Sequence, residues 1–384
     1  MKELIKITGL VVRFYTYDGV VKAVDDIDLD IKQAETFGLV GETGCGKTVT
    51  SLSILRLIPP PGKIEAGTIL FATNNDHTLD LLTLSEAKIR QIRGSQISMI
   101  FQEPSSALNP VFTIGDQIAE VILLHRQAEV AERVTKALDK RLAQLGGVFD
   151  RIRWPLWRVE RNLCQKTYQN PRAWQLRVLR RIPLIRGLLN RIKVEASKMA
   201  LGVLKDVEIP DAERILKQHP HQLSGGMKQR AVIAMALACS PKLLIADEPT
   251  TSLDVTIQAQ ILGLLNRLKA ERGASILYIT HDLAVAAELC DRIGVMYAGS
   301  LCEVGGVKEM YAKPLHPYTH ALLDAVPKPG VEPKAIGGFL PDPINLPSGC
   351  KFHPRCPRVM ERCRQEVPLV RKMEDGHYVW CHLY

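Results

Sequence analysis

No run of about eighteen uninterrupted apolar residues occurs in this 384-residue chain, which argues against a membrane-spanning helix. Met1-Lys2-Glu3-Leu4 does not open a signal peptide, so the expected compartment is the cytoplasm. The nine cysteines come without an export signal, which argues against a disulfide framework and leaves buried thiols or metal ligation. None of the chemistry found below calls for a Ser/His/Asp nucleophile. The length suits two or three domains, each able to bury a core.

What is present begins with Gly41-Glu42-Thr43-Gly44-Cys45-Gly46-Lys47-Thr48, a complete G-x-x-x-x-G-K-[ST] phosphate loop. Its glycines let backbone N–H groups close around phosphate oxygens, Lys47 neutralises charge and Thr48 offers a hydroxyl to Mg²⁺. Thr36 to Val40 reads as a short buried strand, and Val49, Leu52 and Leu55 recur at helical spacing. Strand, loop and helix therefore follow in the required order, and the helix N-terminus adds partial positive charge where phosphates sit.

The second half supplies further site residues. Leu243 to Ala246 is an apolar run ending in Asp247-Glu248-Pro249, and Ser275 to Thr280 ends in His281-Asp282. Ligands of open parallel sheets sit beyond the carboxyl ends of strands, so both polar pairs are expected on the edge that carries the phosphate loop. Asp247 is expected to hold Mg²⁺ through water, Glu248 to polarise the attacking water and His281 to contact the γ-phosphate. Phosphoryl transfer needs positioning and charge stabilisation more than covalent chemistry, which suits this set. Ser224 is a good helix N-cap, Gly225-Gly226 permits close approach of backbone to ligand, and Val232, Met235, Ala236 and Cys239 give the following helix a buried face.

Leu223-Ser224-Gly225-Gly226-Met227-Lys228-Gln229-Arg230 resembles the signature of the ATP-binding cassette (ABC) family. In that family it caps the γ-phosphate of a nucleotide held by the opposite subunit, so the resemblance implies a dimeric ATPase using ATP and Mg²⁺. Gln102 resembles the family's sensor of Mg²⁺ and attacking water, and Asp254 in Ser252-Leu253-Asp254 resembles the loop that crosses the dimer interface. The phrases Gly19 to Val24, Phe101-Gln102-Glu103-Pro104, Leu108-Asn109-Pro110, His221 to Met227, Leu253 to Thr256 and His316-Pro317-Tyr318-Thr319 resemble ATPase subunits of oligopeptide and dipeptide importers. That likeness implies a peripheral protein on the cytoplasmic face of the membrane. Its implied partners are a second, related ATPase subunit, two permeases and an extracytoplasmic solute-binding protein. Related importers move nickel, opines and oligosaccharides.

The implied fold is α/β: a RecA-like parallel core, an antiparallel β subdomain, a helical subdomain and a small Cys-containing C-terminal domain. The expected divisions are 1–102 (core with phosphate loop), 103–222 (helical subdomain), 223–300 (signature and remaining core) and 301–384 (C-terminal extension). Three departures accompany the likeness. Cys45 stands where the family usually has Ser, and Ala34 replaces a usual glycine, restricting a turn. The adenine-stacking aromatic is ambiguous among Phe14, Tyr15 and Tyr17, of which Tyr17 lies closest to the family's spacing.

Residues 314–357 are rich in Pro and Gly and lead into Cys350, Cys356, Cys363 and Cys381. Their spacing lacks the C-x-x-C pairs of common zinc sites. However, Leu346 to Pro357 resembles the peptide-importer tail in which four cysteines can hold a [4Fe–4S] cluster. Such a ligand set would staple a short segment with little core. Iron–sulfur, zinc and plain thiols remain open, and Cys164, Cys239, Cys290 and Cys302 read as ordinary buried cysteines.

Between Gln102 and Ser224 the separation exceeds the family norm. Residues 140–200 hold fifteen Lys/Arg against three Asp/Glu, so with a whole-chain charge of +9 the remainder sums to −3. Trp154, Trp157 and Trp174 lie in this insertion, with Leu176, Leu179, Ile182 and Ile185 near helical spacing. Basic residues interleaved with aromatics suit an anionic membrane surface or permease, suit RNA, and also suit extra solvated helices. The second functional class is therefore a soluble cassette ATPase acting on nucleic acid or ribosomes. Against it stand the single phosphate loop, the single signature and the importer-like tail.

Overall fold

The computed structural model describes residues 2–73, 77–143, 183–251, 253–327, 336–373 and 376–384. They form two compact units, one of residues 1–102 with 242–384 and one of 103–241.

The first unit is built on two sheets. Strands β1 (Glu3–Thr16), β2 (Gly19–Lys32), β4 (Gly62–Ala72) and β5 (Thr78–Asp80) form an antiparallel sheet ordered β2-β1-β4-β5. Its longest strands alternate buried and exposed residues, as expected when one face meets water. The second sheet runs β11-β12-β10-β9-β3-β8-β7-β6. Its parallel part comprises β3 (Thr36–Val40), β6 (Ile97–Ile100), β7 (Leu243–Asp247), β8 (Ser275–Thr280) and β9 (Arg292–Tyr297). Every residue of β3, β7 and β8 is buried, which is why they read as continuous apolar runs rather than alternations. One core of Ile, Leu, Val and Phe side chains, among them Ile5, Leu10, Phe37, Leu39, Ile245 and Leu277, joins the two sheets.

The described residues after Gly299 belong to the same compact unit as these sheets, so the expected small C-terminal domain is not confirmed. Strands β10 (Ser300–Gly306), β12 (Tyr378–Trp380) and β11 (Val370–Lys372) extend the large sheet antiparallel to β9. The Pro- and Gly-rich segment is anchored instead of free-standing. Glu303 is fully buried and accepts hydrogen bonds from Leu315 N (2.8 Å), His316 N (2.8 Å) and His377 Nε2 (2.7 Å). A buried carboxylate is tolerated only when satisfied this way.

The second unit is helical. Helices Ile114–His125, Gln127–Ala143, Pro183–Asp206 and Gly225–Leu237 enclose Ile118, Ile122, Val130, Val134, Ala196, Val203 and Ile233. Arg126 ties this unit together, donating to Ala238 O at 2.6 Å while pairing with Glu129 at 2.8 Å. The unit ends at Pro241 and so includes the signature helix. The signature helix packs on helices of its own unit, and it is buried on nearly all sides, including Val232 and Ala236, rather than on one face. The insertion residues 144–182, with all three of its Trp, lie outside the described residues. No helix among the described residues is long and apolar enough to cross a membrane.

Candidate nucleotide site

The phosphate loop leaves β3 and enters the helix Lys47–Ile54. Two of its glycines are required by space as well as by backbone angle. A Cβ on Gly41 (φ +152°) would sit 2.3 Å from Met296 O, and one on Gly46 (φ +102°) would sit 2.4 Å from Ala23 O. No side chain caps the N-terminus of the helix and no carboxylate occupies its first turn, so its N–H groups stay available to an anion. Lys47 is nearly buried, and its Nζ donates to Gly41 O (2.7 Å) and Glu42 O (3.0 Å). Cys45 turns inward, 1% exposed and within the core, with burial pushing its thiol up. A Cys for Ser exchange there changes packing rather than the loop's open side. Ala34 adopts φ +56°, the left-handed conformation that the missing glycine would take more readily.

Five of the expected residues, Thr48, Gln102, Asp247, Glu248 and His281, meet at the carboxyl ends of β3, β6, β7 and β8. Thr48 Oγ1 lies 3.2 Å from Asp247 Oδ1, and Asp247 is 3% exposed. Burial pushes the Asp247 carboxyl upward and the Glu248 charge adds to it, against the opposing pulls of the Thr48 hydroxyl and Lys47. Glu248 accepts from Thr251 Oγ1 (3.0 Å) and Gln102 Nε2 (3.2 Å), and its other oxygen lies 3.0 Å from His281 Nδ1. Burial acts to raise its pKa, but the bonds from His281 and Thr251 and the charge of Lys47 outweigh it, so the carboxyl is held below its usual range. Glu248 has φ +45°, an uncommon conformation for a non-glycine residue and one that clusters at functional sites. Sequence reasoning missed Thr251, whose only signal is a hydroxyl three residues after Glu248, across a turn.

Other expected residues are placed locally. Ser224 caps the signature helix, its side chain accepting from Met227 N at 3.4 Å, and both Ser224 and Gly225 are exposed. These two belong to the second unit. Asp254 caps the helix Val255–Arg272, accepting from Ile257 N at 2.9 Å, and is exposed. Tyr17 is fully exposed in the β1–β2 turn, Tyr15 is half-exposed and bonded to Glu65, and Phe14 packs on the core.

The tail cysteines meet a mixed outcome. Cys363 O accepts from Cys350 N at 2.8 Å, and the thiols of Cys350, Cys356, Cys363 and Cys381 lie near enough to bear on one another's charge. Burial first, and that mutual charge second, push the Cys350 thiol up to about 11. Yet among the described residues no group of three or more His, Cys, Asp or Glu converges as ligands of a metal ion. The arrangement therefore gives no support to the expected [4Fe–4S] cluster or to zinc. Magnesium stands differently, since it is usually held by one or two carboxylates together with substrate phosphates and water. The Thr48 hydroxyl beside the Asp247 carboxylate fits that donor set.

A Lys-Thr phosphate loop and two acidic residues at the carboxyl edge of a parallel sheet define a phosphate-loop nucleotide-binding protein. The chain belongs to the ABC transporter family, whose pattern matches residues 24–251; a second pattern, described as the oligopeptide/dipeptide transporter C-terminal region, matches 302–363. The dipeptide transport ATP-binding protein DppD of Bacillus subtilis is 40% identical, with 100% of this chain and 95% of the relative covered. The oligopeptide transport ATP-binding protein AppD of the same organism is 39% identical over 100% and 98%. Among solved structures, the dimeric ATP-binding cassette MJ0796 bound to ADP and Pi superposes with a TM-score of 0.51, at 23% identity, covering 79% of this chain and 99% of that one. At that identity the likeness speaks for the fold.

Proposed function

We propose that this chain is the ATP-hydrolysing subunit of an importer of dipeptides or oligopeptides, working through partner permeases and a second ATPase subunit. The observation that carries the reading is the convergence of Thr48, Asp247, Glu248, Gln102 and His281 at one sheet edge. The names of the relatives supply the cargo class.

In this reading the N–H groups of residues 43–48 and the Lys47 ammonium hold the β- and γ-phosphates, and Tyr17 stacks on adenine. Thr48 and Asp247, with Gln102 alongside, would hold Mg²⁺, which supplies charge neutralisation on the phosphate oxygens. Glu248 takes a hydrogen bond from the attacking water and aligns it, remaining ionised because its carboxyl is held low. His281 lies beside Glu248 and orients it while reaching the γ-phosphate. Ser224, Gly225 and Gly226 serve the nucleotide of the opposing subunit, with Asp254 at the same dimer interface. Peripheral attachment to the cytoplasmic face of the membrane follows from the permease partnership. The [4Fe–4S] reading of Cys350, Cys356, Cys363 and Cys381 rests on the sequence resemblance of the tail alone.

The test is uptake of a labelled dipeptide by cells deprived of this chain and then given it back. Restoration by the wild type but not by Lys47→Ala is expected. Uptake that is indifferent to the chain, with its own partner subunits present, would remove peptide import.

A further inference from the structure

Glu42, the second residue of the phosphate loop, is held at every polar group. Its N–H donates to Tyr318 Oη at 3.0 Å, its carbonyl accepts from Lys47 Nζ at 3.0 Å, and its carboxylate receives both Nη atoms of Arg355 at 2.8 and 3.0 Å. Two of these partners come from the C-terminal part of the chain, about three hundred residues away in sequence and on no nucleotide motif.

Arg355 is built for this contact. Its side chain is only 5% exposed. Nε donates to Gly337 O at 2.8 Å, Nη1 reaches Tyr297 Oη at 3.3 Å, and the guanidinium lies over the Tyr297 ring, 5.6 Å from its centre. Tyr297, Tyr318 and Phe352 pack together with ring centres 4.7 to 5.3 Å apart. All three rings are buried. Lys351 pins the neighbouring turn to the core, donating to Asp25 (2.9 Å), Ala298 O (3.0 Å) and Ser300 Oγ (2.6 Å). The guanidinium is thus a fixed fork, and bidentate pairing of this kind sets geometry as well as charge.

The charge has a consequence for ligand binding. A carboxylate within a phosphate-binding loop opposes the approach of an anion unless a cation neutralises it, an effect that solvent moderates because the Glu42 side chain is 24% exposed. We infer that Arg355, with Tyr318, is a positioning residue for nucleotide binding: it fixes the phosphate loop through Glu42 and cancels a charge that would repel the phosphates. The segment carrying Cys350 and Cys356 thereby acts on the nucleotide site without touching nucleotide. This inference rests on the ATP-binding reading above.

The experiment is a double-mutant cycle on the full chain, with ATP affinity measured by displacement of a fluorescent ATP analogue and thermal unfolding recorded in parallel. Arg355→Gln is expected to weaken ATP roughly five- to tenfold, the scale of one charge contact partly screened by solvent. In a Glu42→Gln background the same replacement should change affinity less than about twofold. Tyr318→Phe, which removes only the bond to the loop, should weaken ATP by about threefold. An Arg355→Gln protein with wild-type affinity, or an equal loss in both backgrounds, overturns the inference; the latter would mean generic loosening of the tail. Lys47→Ala separates the two readings: if it too leaves affinity unchanged, the ATP site itself is wrong, whereas a loss with Lys47→Ala but not with Arg355→Gln rejects the Arg355 role alone.

Discussion

Replacing Glu248 by Gln tests the chemistry most directly, because the structure indicates what would survive the change. A Gln carbonyl in place of Oε2 can still accept from Thr251 Oγ1 and Gln102 Nε2, and its amide can donate to His281 Nδ1, so the bonds at 3.0 to 3.2 Å have substitutes. What disappears is the negative charge. Loss of a positioned carboxylate that aligns and deprotonates water removes roughly 10²- to 10⁴-fold in rate, or about 3–5 kcal/mol of transition-state stabilisation. ATP binding should persist or tighten. The Glu248 charge pushes Asp247 upward, so its removal makes Asp247 easier to ionise and thus a better metal ligand.

The pH dependence has a definite sign. Hydrogen bonds from His281 and Thr251 hold the Glu248 carboxyl below its ordinary range, so it stays ionised at neutral pH, and a rate change between about pH 6 and 8 belongs to another group. The assay is ATPase turnover of the assembled complex, with ATP binding to the isolated chain as a control. Glu248→Gln should accumulate a closed, ATP-bound dimer, whereas Lys47→Ala should fail to bind. A Glu248→Gln complex that turns over within a few-fold of the wild type would refute the assigned role.

If the exposed start of the signature helix serves the opposing nucleotide, as proposed, a Gly225→Glu replacement should suppress ATPase activity in the assembled complex without weakening ATP binding to the isolated chain; equal loss of affinity in the isolated chain would contradict this. If the tail holds the [4Fe–4S] cluster that its resemblance implies, anaerobically purified protein will be brown with about four irons and lose its colour on Cys356→Ser; colourless protein with about one zinc would favour zinc, and absence of both metals would leave four ordinary thiols. Joint replacement of Arg151, Arg153, Arg158 and Arg161 by Gln should weaken salt-sensitive binding to anionic vesicles and leave ATP binding intact, while tighter binding to RNA than to vesicles would favour the nucleic-acid class. Burial acts to raise the Glu303 carboxyl, but bonds from His377 and two backbone N–H groups outweigh it and hold the carboxyl low. Its stabilising contribution is therefore complete above the unfolded-state value and lost as pH falls through the folded one. Glu303→Ala should cost about 3–5 kcal/mol in denaturant unfolding near neutral pH, with the gap to wild type narrowing in acid.

The legible parts of this sequence are those in which a local pattern and a three-dimensional demand coincide. Strands β3, β7 and β8 could be read because burial on both faces leaves mostly apolar residues, and the ligand edge carries polar residues at or directly after the ends of β7 and β8. The partners of Glu248 were legible only as a set of separate signals. Gln102 is 146 positions from it, and no periodicity connects them. The attachment of the tail was not legible for a related reason. Strands of three residues, Val370–Lys372 and Tyr378–Trp380, are too short to show alternation, so the small C-terminal domain was expected from family resemblance alone. What attaches it is a buried carboxylate, Glu303, and an aromatic cluster around Phe352, neither of which has a sequence signature. The phrases His316-Pro317-Tyr318 and Pro354-Arg355-Cys356 were visible in the sequence, but only as family likeness. The structure gives them a physical task, since Tyr318 and Arg355 are the two tail residues bonded to Glu42. A motif far from the phosphate loop in sequence can thus serve it, because one buried guanidinium fixes both the position and the charge of a loop residue.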